Sequence, residues 1–146
     1  MSRVGDVRAR VEALVPALAG RMQNAAQFAQ LVDNNRLPQV TPAGFALPGA
    51  MVGGDADVAA GMFRQAVDET VIIVLVVRGA RDATGAGAAD EIAPLVSAII
   101  HAVAGWSPVD APGVFVLGRA ELVGGQDAAL VYQIDFTLSD QLRIVP

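Results

Sequence analysis

Residues 63–78 constrain the fold of this chain most, because the pattern changes halfway along. The first half alternates, with Phe63, Gln65 and Val67 set against Arg64, Ala66 and Asp68. The second half, Val71-Ile72-Ile73-Val74-Leu75-Val76-Val77, is apolar at every position and rich in β-branched side chains. Successive strand residues point to opposite sides, so alternation marks one covered side and an unbroken apolar run marks two. β-Branching favours strand over helix at this length. One long strand is expected, its end covered by a helix layer on one side and a neighbouring subunit on the other. The apolar run is far shorter than the ~20 residues of a membrane-spanning helix.

Around this strand the chain supplies two helical stripes. Val4, Val7, Val11, Leu14, Val15 and Leu18 recur at the spacing of one helical face, with Arg8, Arg10 and Glu12 away from it. Pro16 should bend or end that helix and Gly20 should stop it. Ile92, Leu95, Val96, Ile99, Ile100 and Val103 form the second stripe, in a helix expected from near Thr84 or Asp90 to Ala104. Pro94 fits if it lies in the first turn, and Gly105 ends the helix. Residues 22–32 are weaker, with Phe28, Leu31 and Val32 suggesting a short helix.

The remaining segments read as sheet and loop. Residues 37–54 carry three prolines and four glycines. Within them 40–47 is expected to be an edge strand, where proline is tolerated, and 49–61 an exposed loop or hairpin tip. Residues 114–123 and 130–138 flank the turn signal Gly124-Gly125-Gln126-Asp127. Leu130, Tyr132, Ile134, Phe136 and Leu138 should face the core, and Val131, Gln133, Asp135 and Thr137 a wetter side. With no internal repeat or linker, the expectation is a single domain over 1–146. Its class is α+β: a mainly antiparallel sheet of four or five strands, with two main helices packed against it.

Chemistry finds little to work with. There is no cysteine and one histidine, so a transition-metal site is not expected. Asp55 and Asp57 lie in a Gly-rich stretch but lack the further oxygens of a calcium loop. His101 follows Ser97 by four residues, without a nucleophile elbow, and reads as a surface residue. Gly85-Ala86-Gly87-Ala88-Ala89-Asp90 mimics a dinucleotide loop, yet Asp90 stands at the third glycine position and the loop is too far from the strand. A Walker loop needs a lysine, and all ten basic residues are arginine. Asp68 and Glu69 are adjacent, so they face opposite sides of a strand and form no carboxylate pair. Trp106 is expected to pack the helix end over the sheet. The net charge of −5 argues against coating nucleic acid, and the N-terminus has no apolar signal core. No enzyme activity, catalytic residue, metal or cofactor is expected.

The ordered set of features resembles the tail terminator proteins of long-tailed phages and prophages. It rests on Val11-Glu12-Ala13-Leu14, on Leu37-Pro38-Gln39-Val40-Thr41-Pro42-Ala43, and on Val77 ending a long strand. Ala104-Gly105-Trp106-Ser107-Pro108, Gly118-Arg119-Ala120-Glu121-Leu122 and Leu130-Val131-Tyr132-Gln133-Ile134-Asp135-Phe136 complete it. The resemblance implies a small α/β protein that forms a ring, usually sixfold, on the end of a completed tail tube. Such a ring stops tube polymerisation and presents a surface to the head connector. The implied partners are further copies of the chain, the tail tube protein, the head–tail connector or neck protein and the tape measure protein. Neither a membrane nor sequence-specific nucleic acid is among them, although DNA passes through such a ring. The implied location is the virion tail, assembled in the host cytoplasm. A neck protein of the same particle and a small ligand-binding protein are the alternatives. Residues 49–61, 78–89 and 139–146 are the expected contact segments.

Overall fold

A computed structural model describes residues 3–79, 86–126 and 128–145. Helix α1 (Val4–Leu14) runs into a 3-10 turn (Pro16–Leu18), followed by β1 (Met22–Gln23) and α2 (Ala25–Asp33). Two 17-residue strands come next, β2 (Ala43–Ala59) and β3 (Met62–Arg78), then α3 (Ala86–Val103), β4 (Val116–Gln126) and β5 (Ala129–Ile144). The sheet order is β1-β2-β3-β5-β4. The β2–β3, β3–β5 and β4–β5 pairs are antiparallel, but β1 pairs parallel to β2 through Met22 with Gly44 and Gln23 with Phe45. The expected antiparallel sheet with two helices is therefore corrected to a mixed five-stranded sheet with three helices, within the α+β class.

The third helix explains the doubly apolar half of β3. On one side Val71, Ile73, Leu75 and Val77 join Ile134, Phe136 and Leu138 of β5 beneath α1 and α3. On the other, Val74 and Val76 pack with Ala43, Phe45, Phe28 and Leu31, and the Phe28 and Phe45 rings lie 5.2 Å apart. The second cover is α2 of the same chain, where a neighbouring subunit was expected. A reciprocal cap holds α2 at its start: Asn24 Oδ1 accepts from Gln27 N–H and Gln27 Oε1 accepts from Asn24 N–H, both at 2.9 Å.

Val7, Val11, Val15 and Leu18 are buried as the stripe requires, but Leu14 is 49% exposed. Leu14 is the last residue of the helix, and the extended Val15 and the turn at Pro16–Leu18 redirect the chain so that Val15 and Leu18 fill the core beyond it. In α3, Ile92, Val96, Ile99 and Val103 are buried, with Leu95 and Ile100 partly so. Pro94 lies nine residues into this 18-residue helix, not in its first turn. It faces solvent, where water can serve the carbonyl that a proline leaves without a donor. Gly105, at φ +80°, leaves the helix in a conformation that favours glycine, and its N–H donates to Phe115 O at 2.8 Å. Trp106 stacks on Phe115 at 5.9 Å and carries the Arg10 guanidinium 5.0 Å above its ring, while Arg10 Nε donates to Ala102 O at 2.9 Å. The helix end is thus tied both to the sheet and to α1.

Candidate assembly surface

β2 and β3 run well past the part of the sheet that the helices cover. Of the expected edge strand 40–47, residues 40–42 are not strand and β1 flanks Gly44 and Phe45, while residues 49–59 are strand where a loop was expected. Only Ala60 and Gly61 make the hairpin tip, with Gly61 at φ +79°. β5 extends alongside, Leu138 pairing with Glu69 and Ile144 with Phe63, so the expected C-terminal contact segment is also strand as far as Ile144. The result is a three-stranded arm of residues 51–59, 62–69 and 138–144.

The arm is two-faced, as the alternation in 63–68 requires. Directly opposed residues share a face. The face continuing the α1/α3 side carries Val58, Phe63 and Ile144 in one row and Leu142, Gln65 and Ala56 in the next. Val58 is 78% exposed, and Ile144 and Met51 are about half exposed. The other face aligns Asp57, Arg64 and Arg143, then Asp68 and Ser139. Asp68 Oδ1 accepts from Ser139 Oγ at 2.6 Å. Arg143 Nε donates to Gln141 and Arg64 Nε to Met62 Sδ. Among the described residues the ion pairs involve Arg3 and Arg119, so neither arm guanidinium has a carboxylate within ion-pair distance.

Arg3 holds the base of the arm to the body. Its N–H donates to Glu69 Oε2 at 2.6 Å, its Nη1 reaches Val109 O at 3.2 Å, and its Nη2 lies 3.6 Å from Asp140 Oδ2. Glu69 is 4% exposed, and its Oε1, like Arg3 Nε, has no hydrogen-bond partner among the described residues. The separation of Asp68 and Glu69 to opposite faces is as expected: Glu69 anchors, Asp68 faces outward.

A second open surface lies at the β4 side of the sheet. α3 covers β3 and β5 but not β4, leaving a groove of about 410 Å³ lined by Ile92, Ala93, Val96, Ser97, Ile100, His101 and Tyr132. Leu122, opposite Tyr132 in register, is 55% exposed, and Leu117, further along β4, is exposed as well. Ser97 and His101 share this groove, yet its lining contains no carboxylate to orient the imidazole. A separate depression of about 420 Å³ is lined chiefly by amides, among them Gln23, Gln27, Gln30 and Asn34.

Asp55 and Asp57 lie exposed on β2, in the arm. The dinucleotide-like segment falls partly outside the described residues, but from Ala86 to Asp90 it is the opening of α3. Among the described residues no group of three or more His, Asp or Glu side chains is placed to hold a metal ion, and no helix is long and apolar enough to cross a membrane. The arm itself was missed by sequence reasoning. Its signal was present in the alternation of 63–68 and the shorter alternation of 141–144, but the glycines of 49–61 masked the partner strand.

An α+β fold whose open features are a two-faced sheet extension and an apolar groove has the surfaces of a protein that works by contact with other proteins. The family model described as phage tail terminator protein matches residues 2–145, and the chain belongs to that family. No curated protein matches it. Membership gives it a structural role in the phage tail, a location in the virion tail, and other tail or head–tail proteins as its neighbours. The family points to a non-enzymatic role.

Proposed function

We propose that this protein closes the phage tail: six copies form a ring on the end of the completed tube, halt its polymerisation and present the surface to which the head attaches. The observation that carries the reading is the family match across residues 2–145. A cap must repeat the rotational symmetry of the tube beneath it, and a ring is the closed way to repeat one heterologous contact. The arm and the groove lie at different places on the chain and differ in shape, which suits a heterologous contact better than a two-fold one. Residues 49–61 and 139–146 are expected as separate contact segments; in this reading 51–59 and 139–144 act as parts of one element, the arm. Residues 78–89 are kept as a third contact; of these, 80–85 lie outside the described residues.

The partners in this reading are further copies of the chain, the tail tube protein, the head–tail connector and the tape measure protein, with DNA passing through the ring. Assembly takes place in the host cytoplasm. The test is to remove the protein from the assembling particle and image the tails. Overlong tubes without heads are the expected outcome, reversed on adding the purified chain. Tubes of normal length that merely fail to join heads would overturn the terminator reading in favour of a neck protein.

A further inference from the structure

We propose that the apolar face of the arm docks into the α3–β4 groove of a second copy of this chain, so that the arm is the link between neighbours in the ring. This rests on the ring reading above. The two surfaces match in chemistry. Val58, Phe63 and Ile144 form an apolar row that nothing in the chain covers fully, and Ile92, Val96, Ile100 and Tyr132 form an apolar floor. Neither surface carries an ionised side chain at its centre, so docking strands no buried charge.

The area decides why a second copy in a ring is the occupant. An arm of about eight residues in length and three strands in width has a face of about 400 Å², from ~3.4 Å per residue and ~4.8 Å between strands. Docked on one face, it buries about 800 Å² in total, short of the ~1,200 Å² at which a specific pair becomes stable alone. Each copy in a ring makes the contact twice, once with its arm and once with its groove, and closure raises the effective concentration of the last contact. The contact is weak singly and strong when closed, which is what a subunit that assembles only at the tube end requires.

The chain has no cysteine, so a disulfide test has no background. Val58→Cys or Ile144→Cys is combined with Ser97→Cys in the full chain, assembled on tail tubes and oxidised. The expected result is a ladder of covalent species on a non-reducing gel, ending at the subunit number of the ring. The single-cysteine variants go no further than dimers. Rings seen by imaging on tube ends, but no ladder from either pair, would overturn the arm-to-groove contact while leaving the ring reading intact. Tube ends bearing single, unlinked copies would overturn both.

Discussion

The two halves of β3 are one continuous strand in the same sheet, yet they live in different environments. From Val71 to Val77 every side chain but Ile72 is buried, with α1 and α3 on one side and α2 on the other. From Met62 to Ala66 none is buried, although the hydrogen-bonded ladders to β2 and β5 continue without regard to burial. Backbone pairing therefore does not report where the core lies. Side-chain pattern does: the continuous run is held by packing from two layers, and the alternating half is held by its neighbours and by Arg3 at its base.

The largest expected effect comes from truncating a buried side chain in the body half or in the helix that covers it. Leu75→Ala, at a fully buried position, should cost about 2–5 kcal/mol, and Ile99→Ala in α3 should cost a similar amount. Chemical denaturation of the purified chain measures both, and a cost near zero at Leu75 would break the two-layer account. Next comes the base of the arm. Glu69→Ala removes the buried acceptor of Arg3 N–H and should cost about 1–3 kcal/mol. Amide exchange should rise in 62–69 and 138–144 more than in 71–77; uniform acceleration would mean that arm and body unfold as one unit.

A smaller effect is expected at the second layer. Asn24→Ala removes one half of the reciprocal cap on α2 and should cost about 0.5–2 kcal/mol. Exchange should increase around Phe28 while α3 stays protected, which would sharpen the view of α2 as a separate cover. The smallest effect on stability belongs to Val58→Ser at the exposed end of the arm, within about 0.5 kcal/mol. A thermal melt should barely move. A large destabilisation would place the arm tip inside a core that the structure does not contain.

Much of this was legible in the residues. The body half of β3, the α3 stripe, the β4–β5 hairpin and the helix-ending role of Gly105 follow from period, β-branching and glycine placement. What escaped has identifiable physical causes. Residues 49–61 are glycine-rich and carry two aspartates, which argues for loop on propensity, but pairing to β3 supplies a ladder that overrides it. Glycine at 49 fits within the strand because the backbone passes close to Thr70, where a Cβ would come within 3 Å of the Thr70 carbonyl. The α2 helix was ambiguous by periodicity, yet Asn24-x-x-Gln27 is a start signal that the sequence carried openly. Pro94 was assigned to a first turn because its tolerance in the helix interior depends on which side meets water, something only the packed structure decides. The candidate groove had no signature at all, since it arises from α3 covering β3 and β5 while stopping short of β4.

The outer edge of β2 is broken twice, between Pro48 and Met51 and again between Gly53 and Ala56, and β4 is broken between Leu117 and Arg119 and between Leu122 and Gly124. Each break interrupts the row of donors and acceptors that an incoming strand would need. Long exposed strands with unbroken edges tend to extend a sheet from molecule to molecule without limit. Along β2 and β4 the backbone offers no such seam, and the apolar side chains there face outward from edges that resist pairing. On those two edges strand addition is discouraged, so contact with a partner falls to the shape and chemistry of the side chains.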